Sequence, residues 1–311
     1  MSIGQRIMVT GAAGLVGRAV CRLLHARGDE VVAIDRFGGE EFDGVTVIEC
    51  DLGNVHRLHS LARDGLSAVI HCGAYSGPMV ARDNPVSMVQ VNIVGTANML
   101  ELARVHGARR FVFCSSTSAY GNTPRAPVKE DVVMVPASLY AASKVASEQL
   151  VAAYALQYGV DGVSLRLSWV YGPHRTTDCM IRTMLTDAMA SRATRIPFGY
   201  DFHRQYIHVD DAARALIAAL DVPSLPRRSY NITGDSRLTL EEVAQIVRRV
   251  APAADIELAP GRDPLDEQQE RFDISAAITD LGYRPQYDLE AGIRAYAAWL
   301  SKNDSPKFQG A

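Results

Sequence analysis

The segment TGAAGLVG, Thr10 to Gly17, follows directly on the apolar run RIMVT at 6–10 and opens a helical pattern at Leu15. Glycine at 11, 14 and 17 permits a tight turn, close approach of the backbone to a ligand, and close packing of the next helix on the strand. That helix, with Leu15 and Val16 in its first turn, aims free N–H groups and the positive end of its dipole at whatever the loop holds. A pyrophosphate is the group such a loop suits. Strand, glycine turn and helix in this order start a parallel sheet, and they narrow the fold more than any other stretch of the chain.

The following residues keep the same rhythm. Short β-branched runs at 31–35, 45–49, 67–72, 110–115 and 162–167 alternate with helical patterns at 15–26, 86–106 and 139–158. Near-continuous apolar strands separated by helices call for a parallel sheet covered on both faces. The expected class is α/β: a doubly wound, Rossmann-type parallel sheet with a smaller C-terminal substrate-binding lobe. After Tyr171-Gly172-Pro173 the glycines and prolines become more frequent. The expected division is a dinucleotide-binding domain over 1–170 plus 205–233, a lobe over 171–204 plus 234–301, and a frayed tail over 302–311. QYIHVDDAARALIAALD and the SYNIT after it read as strand, helix and strand returning to the main sheet.

Composition excludes several functions. Apolar residues make up 48% and charged residues 22% of the 311, ordinary globular usage rather than that of a disordered chain. A net charge of -3 supplies no basic field for nucleic acid. No apolar run approaches the roughly 20 residues of a membrane span, and MSIGQRIMVTG enters a strand too soon for a signal peptide. Cys21, Cys50, Cys72, Cys114 and Cys179 are widely spaced, with no CxxC pair. Reduced thiols, no metal site and a cytoplasmic location are the expectation.

The second strand ends at Asp35, 18 residues beyond Gly17, where a carboxylate accepts hydrogen bonds from ribose hydroxyls and repels a 2′-phosphate. NAD is therefore expected over NADP, although Arg36 follows and would pair with such a phosphate. Asp51 and Leu52 are placed to bracket adenine; alternatively Asp51 caps the next helix. Cys72, Gly73 and Ala74 are small enough for a dinucleotide to pass over their strand end. His71 reads as a buried, hydrogen-bonded side chain.

Tyr140 and Lys144 stand four apart in YAASK, so a helix presents both on one face. A phenol becomes a base where an ammonium stabilises its phenolate, and Lys144 is one turn away. Ser116, in CSSTSAYG past the fifth strand, is placed to hold a substrate hydroxyl.

These stretches, with HCGA at 71, NIVGT at 92, VYGP at 170, RQYIHVDDAA at 204 and DISAAITDLGYRP at 273, resemble the extended short-chain dehydrogenase/reductases. Within them the chain resembles the NAD-dependent epimerase/dehydratase family, near its UDP-glucose 4-epimerase-like members. The resemblance implies catalysis by Ser116, Tyr140 and Lys144. It implies NAD held by the glycine loop, Asp35, Asp51, Asn92, Tyr140 and Lys144, and a homodimer formed through the helices at 86–106 and 139–158. Substrate contacts fall to Ser116, Thr117, Trp169 and Arg204, the last matching a diphosphate-binding arginine, with Arg175 and Arg182 adding charge.

The chain also departs from the family. Thr117-Ser118 replace the Asp-Glu of 4,6-dehydratases, and Ser118 stands where decarboxylating members carry Glu. Trp169 replaces the usual Asn before VYG, and the Arg of R-x-G-D falls at Ala259, with Arg262 nearby. Oxidation of a secondary alcohol remains, with the hydride returned (an epimerase) or released (a dehydrogenase of a free sugar, sugar acid or polyol). A non-catalytic NAD-binding protein is the third reading.

Overall fold

The computed structural model describes residues 4–303 except 124, 235, 264 and 265. Seven strands form the main sheet, in the spatial order Ser229–Ile232, Gly162–Leu167, Arg110–Ser116, Ala68–His71, Arg6–Thr10, Glu30–Asp35, Ile48–Glu49. Every pairing in it is parallel. The chain starts in the middle of the sheet, winds to one edge, then crosses to the other side. The topological switch therefore lies between Arg6–Thr10 and Ala68–His71, where a ligand crevice opens at the carboxyl ends.

Helices cover both faces, as the strand pattern requires. Ile7, Val9, Ile70, Val112 and Leu165 pack against the helices Leu15–Arg27 and Val209–Asp221, while Met8, Ile34, Val69 and Phe111 face Gly95–Val105. A further core, built from Ile181, Met184, Leu185, Val243, Val247, Ile293 and Tyr296, joins three helices beyond residue 171. A parallel pair, Ala193–Ile196 with Asp255–Leu258, adds to this part.

The structure corrects the sequence reading in four places. Only Ser229–Ile232 returns to the main sheet; His203–His208 instead forms a separate three-stranded sheet with Trp169–Tyr171 and Arg237–Thr239. An apolar run specifies a buried strand but not which buried sheet receives it. Ala277, Leu281 and Tyr283, expected in the lobe, pack in the core of the main sheet. The run at 45–49 splits into Val45–Thr46 and Ile48–Glu49. Lys302 and Asn303 finish the helix Leu289–Asn303, and the rest of the expected tail lies outside the described residues.

Candidate active site

Gly11 turns the chain at φ +67°, a left-handed conformation that glycine adopts without cost. A Cβ on Gly17 would stand 2.1 Å from the Gly11 carbonyl oxygen, so the helix can start this close to the loop only without one. No side chain caps the helix at Gly14. Its first N–H groups stay available, as a bound pyrophosphate requires. Asp35 closes the adjacent strand and accepts a hydrogen bond from Ala13 N at 3.1 Å, fixing the carboxylate beside the loop.

The loop forms one side of a cleft of about 490 Å³, a volume suited to a cofactor and a small substrate. Gly11, Gly14, Leu15, Val16, Gly17, Asp35, Arg36, Asp51, Leu52, Cys72, Gly73 and Ala74 all line it, together with Ser116, Thr117, Tyr140, Lys144 and Trp169. Arg36 donates to the Tyr75 hydroxyl at 2.9 Å and lies over the Phe37 ring. Asp51 accepts from Gly53 N at 2.7 Å, whereas the cap of the helix Val55–Leu61 is Asn54. This removes the capping alternative for Asp51.

Ser116 ends its strand, and its hydroxyl accepts from Ser118 N at 3.1 Å, starting the turn Thr117–Tyr120. Tyr140 and Lys144 lie on the long helix Leu139–Tyr158, capped by Ser138, and both are buried at the cleft wall. Lys144 Nζ donates to Cys114 O at 2.7 Å and sits 5.7 Å from the centre of the Tyr140 ring. A buried ion pair locks this helix to the sheet: Arg166 bonds Glu148 at 2.7 Å, and Ser115 donates to Glu148 at 2.5 Å. The strand carrying Ser116 and the helix carrying Tyr140 are thus held in one register.

Among the expected site residues, Asn92, Arg182 and Arg204 do not line the cleft. Asn92 sits in a π-helical turn, Val89–Val94, and is buried. Its side chain accepts from Tyr75 N at 2.8 Å and donates to Tyr75 O and to the Ser143 hydroxyl. The π turn leaves its carbonyl to the hydroxyls of Thr96 and Ser147. Asn92 therefore pins the 73–77 segment to the helix of Tyr140, which the sequence alone does not reveal.

His71 lies at the switch point, with Nδ1 2.6 Å from the Thr10 hydroxyl and Nε2 3.1 Å from that of Thr96. Thr96 donates to Asn92 O, so Nε2 carries the proton and Nδ1 accepts from Thr10. Burial, then the Lys144 charge, pushes the imidazole pKa down to about 3, and the ring stays neutral. All five cysteines are free thiols.

Arg204 borders a narrow pocket next to the cleft, with Thr117, Trp169, Asp266, Glu267 and Gln269. It bonds two carboxylates, Asp263 and Asp266, at 2.5 Å each. Burial, reinforced by the Asp266 charge, pushes the neighbouring Glu267 carboxyl up to about 7. Gln269 donates to the carbonyls of Thr117 and Gly121, bracing the turn after Ser116. These acidic residues and Gln269 were not anticipated, because no local spacing ties residues 263–269 to Arg204.

A doubly wound sheet with a glycine loop at its switch point, and Ser, Tyr and Lys converging beside it, defines a nucleotide-dependent enzyme of the short-chain dehydrogenase/reductase class. The chain belongs to the NAD dependent epimerase/dehydratase family, which matches residues 7–233. It is 31% identical to UDP-glucuronate 4-epimerase 3 of Arabidopsis thaliana, over 95% of this chain and 76% of that protein. It is also 31% identical to UDP-glucose 4-epimerase of Mycolicibacterium smegmatis, over 93% and 96% respectively. Among solved structures, Thermus thermophilus UDP-glucose 4-epimerase in complex with NAD superposes with a TM-score of 0.85 at 28% identity, covering 96% of this chain and 99% of that one. Its cofactor is NAD.

Proposed function

We propose that this protein is an NAD-dependent sugar epimerase of the nucleotide-sugar 4-epimerase type, acting by reversible hydride transfer at a secondary alcohol. The convergence of Ser116, Tyr140 and Lys144 on the wall of the cleft that carries the glycine loop supports the reading. Bound NAD supplies a hydride acceptor and, for the return step, a hydride donor. Tyr140 takes the hydroxyl proton, and Lys144, held by Cys114 O, stabilises the phenolate. Ser116 holds the reacting oxygen in line, with Thr117 and Trp169 against the sugar. Gly11, Gly14 and Gly17 receive the pyrophosphate, and Asp35 the adenosine ribose. Rotation of the keto sugar before hydride and proton return inverts the carbon.

Net dehydrogenation of a free sugar, sugar acid or polyol is the second reading, favoured by the two carboxylates that occupy Arg204. Sugars incubated with added NAD separate the two. Inverted product without reduced nicotinamide is expected; stoichiometric NADH would replace the epimerase reading by the dehydrogenase one.

The same proposal includes a homodimer through the helices around 86–106 and 139–158, which expose Val86, Val94, Val105, Leu156 and Tyr158. It also includes a reducing, cytoplasmic setting, in keeping with five unpaired cysteines. A single monomeric species in sedimentation would remove the dimer.

A further inference from the structure

A nucleoside diphosphate brings strong negative charge, and a protein site answers it with cations or N–H groups that have no other acceptor. Past Ser116 and Tyr140, the cleft leads by Thr117 and Trp169 to Arg204. The Arg204 side chain is only 5% exposed, its Nε donates to Asp266, its Nη2 donates to Asp263, and its flat face lies 4.6 Å from the Trp169 ring centre. Glu267 adds a third carboxyl group to the same wall. Arg175, on the cleft wall before it, donates through both Nη atoms to the carbonyls of Val170 and Asp178, while its buried Nε has no partner among the described residues. At the Arg204 end, two carboxylates on one buried guanidinium leave no net positive charge to offer.

A second observation indicates what the wall accepts. Ser168, 6% exposed and shared by the cleft and the narrow pocket, has a buried hydroxyl with no hydrogen-bond partner among the described residues. An unpartnered buried hydroxyl beside carboxyl groups is a site for another hydroxyl, which donates to one and accepts from the other.

Resting on the hydride transfer at a secondary alcohol proposed above, and taking the substrate class of the second reading over that of the first, we infer that the substrate is a phosphate-free carbohydrate, whose hydroxyls meet Ser168, Asp266 and Glu267 where a sugar nucleotide would place its diphosphate. The carboxylates of Asp263 and Asp266 thus set specificity by holding Arg204 and repelling phosphate. Calorimetric titration of the NAD-loaded protein with UDP tests this. The wild type should show no saturable binding into the millimolar range, and Asp263→Asn, alone or with Asp266→Asn, should gain at least about tenfold in affinity. Saturable binding of UDP to the wild type with a dissociation constant below about 1 mM overturns the inference. So does a folded variant that gains nothing, and the wild-type titration decides by itself if neither variant folds. Failure of the sugar-alcohol reading is detected elsewhere, when phosphate-free sugars with added NAD give neither an inverted product nor reduced nicotinamide, a result in which UDP has no part.

Discussion

Around the glycine loop the cleft is walled by main chain and small residues, whereas the narrow pocket next to it is walled at Arg204, where charged side chains come from 59 and 62 positions away. In the first region a Cβ at Gly17 collides with the fold itself, at 2.1 Å from Gly11 O. In the second, Asp263 and Asp266 reach Arg204 from a segment outside the main sheet. A site made of backbone is tied to its fold, while a site made of side chains changes its ligand by substitution. The same architecture can therefore keep one cofactor and alter what is oxidised.

Substitutions on either side of this division should behave differently. The largest effect is expected at the junction, where Tyr140→Phe keeps the ring and its packing but removes the proton acceptor. Turnover should fall by about two to four powers of ten, with NAD affinity nearly intact by calorimetry; retained activity at neutral pH would assign the base to another group. Arg204→Met should be nearly as severe, but in stability. It takes the guanidinium away from the buried Asp263 and Asp266, a loss of about 3–5 kcal/mol for a broken buried pair, read as a lower midpoint in urea. A midpoint like that of the wild type would show that the acidic wall does not need its arginine.

On the cofactor side, Asp35→Asn removes the charge expected to repel a 2′-phosphate while Arg36 remains. The ratio of NAD to NADP affinity should drop by roughly tenfold, the worth of about 1.4 kcal/mol. An unchanged ratio would shift the discrimination to Arg36 and Tyr75. The smallest effect is expected at Glu267, whose carboxyl burial raises to about 7, above the roughly 4.3 of an unfolded chain. A raised acid contributes stability that is full below pH 4 and lost as pH rises through 7. The wild-type melting temperature should accordingly fall from pH 6 to pH 8 by about 2–4 °C more than that of Glu267→Gln; parallel profiles would contradict this protonation.

The main-sheet strands up to residue 167, the long helices between them, the glycine loop, Asp35 and the Tyr140–Lys144 spacing were readable from the chain, whereas the helix Val55–Leu61 and the short pair Glu41–Phe42 with Val45–Thr46 were not. Each readable feature is set by local rules: apolar periodicity, glycine's conformational freedom, and the spacing of one helical turn. The long helix Leu139–Tyr158 has the expected limits because Ser138 starts it and Gly159, at φ +70°, ends it.

Tertiary structure alone decided the rest. It sent His203–His208 to a small separate sheet, turned Asn92 into a pin between the 73–77 segment and the catalytic helix, and placed two carboxylates on Arg204. A hydrogen bond or ion pair between residues far apart in sequence has no periodicity to reveal it. Its partners are chosen by which surfaces the packed core brings together, and that choice determines what the substrate end of the cleft can bind.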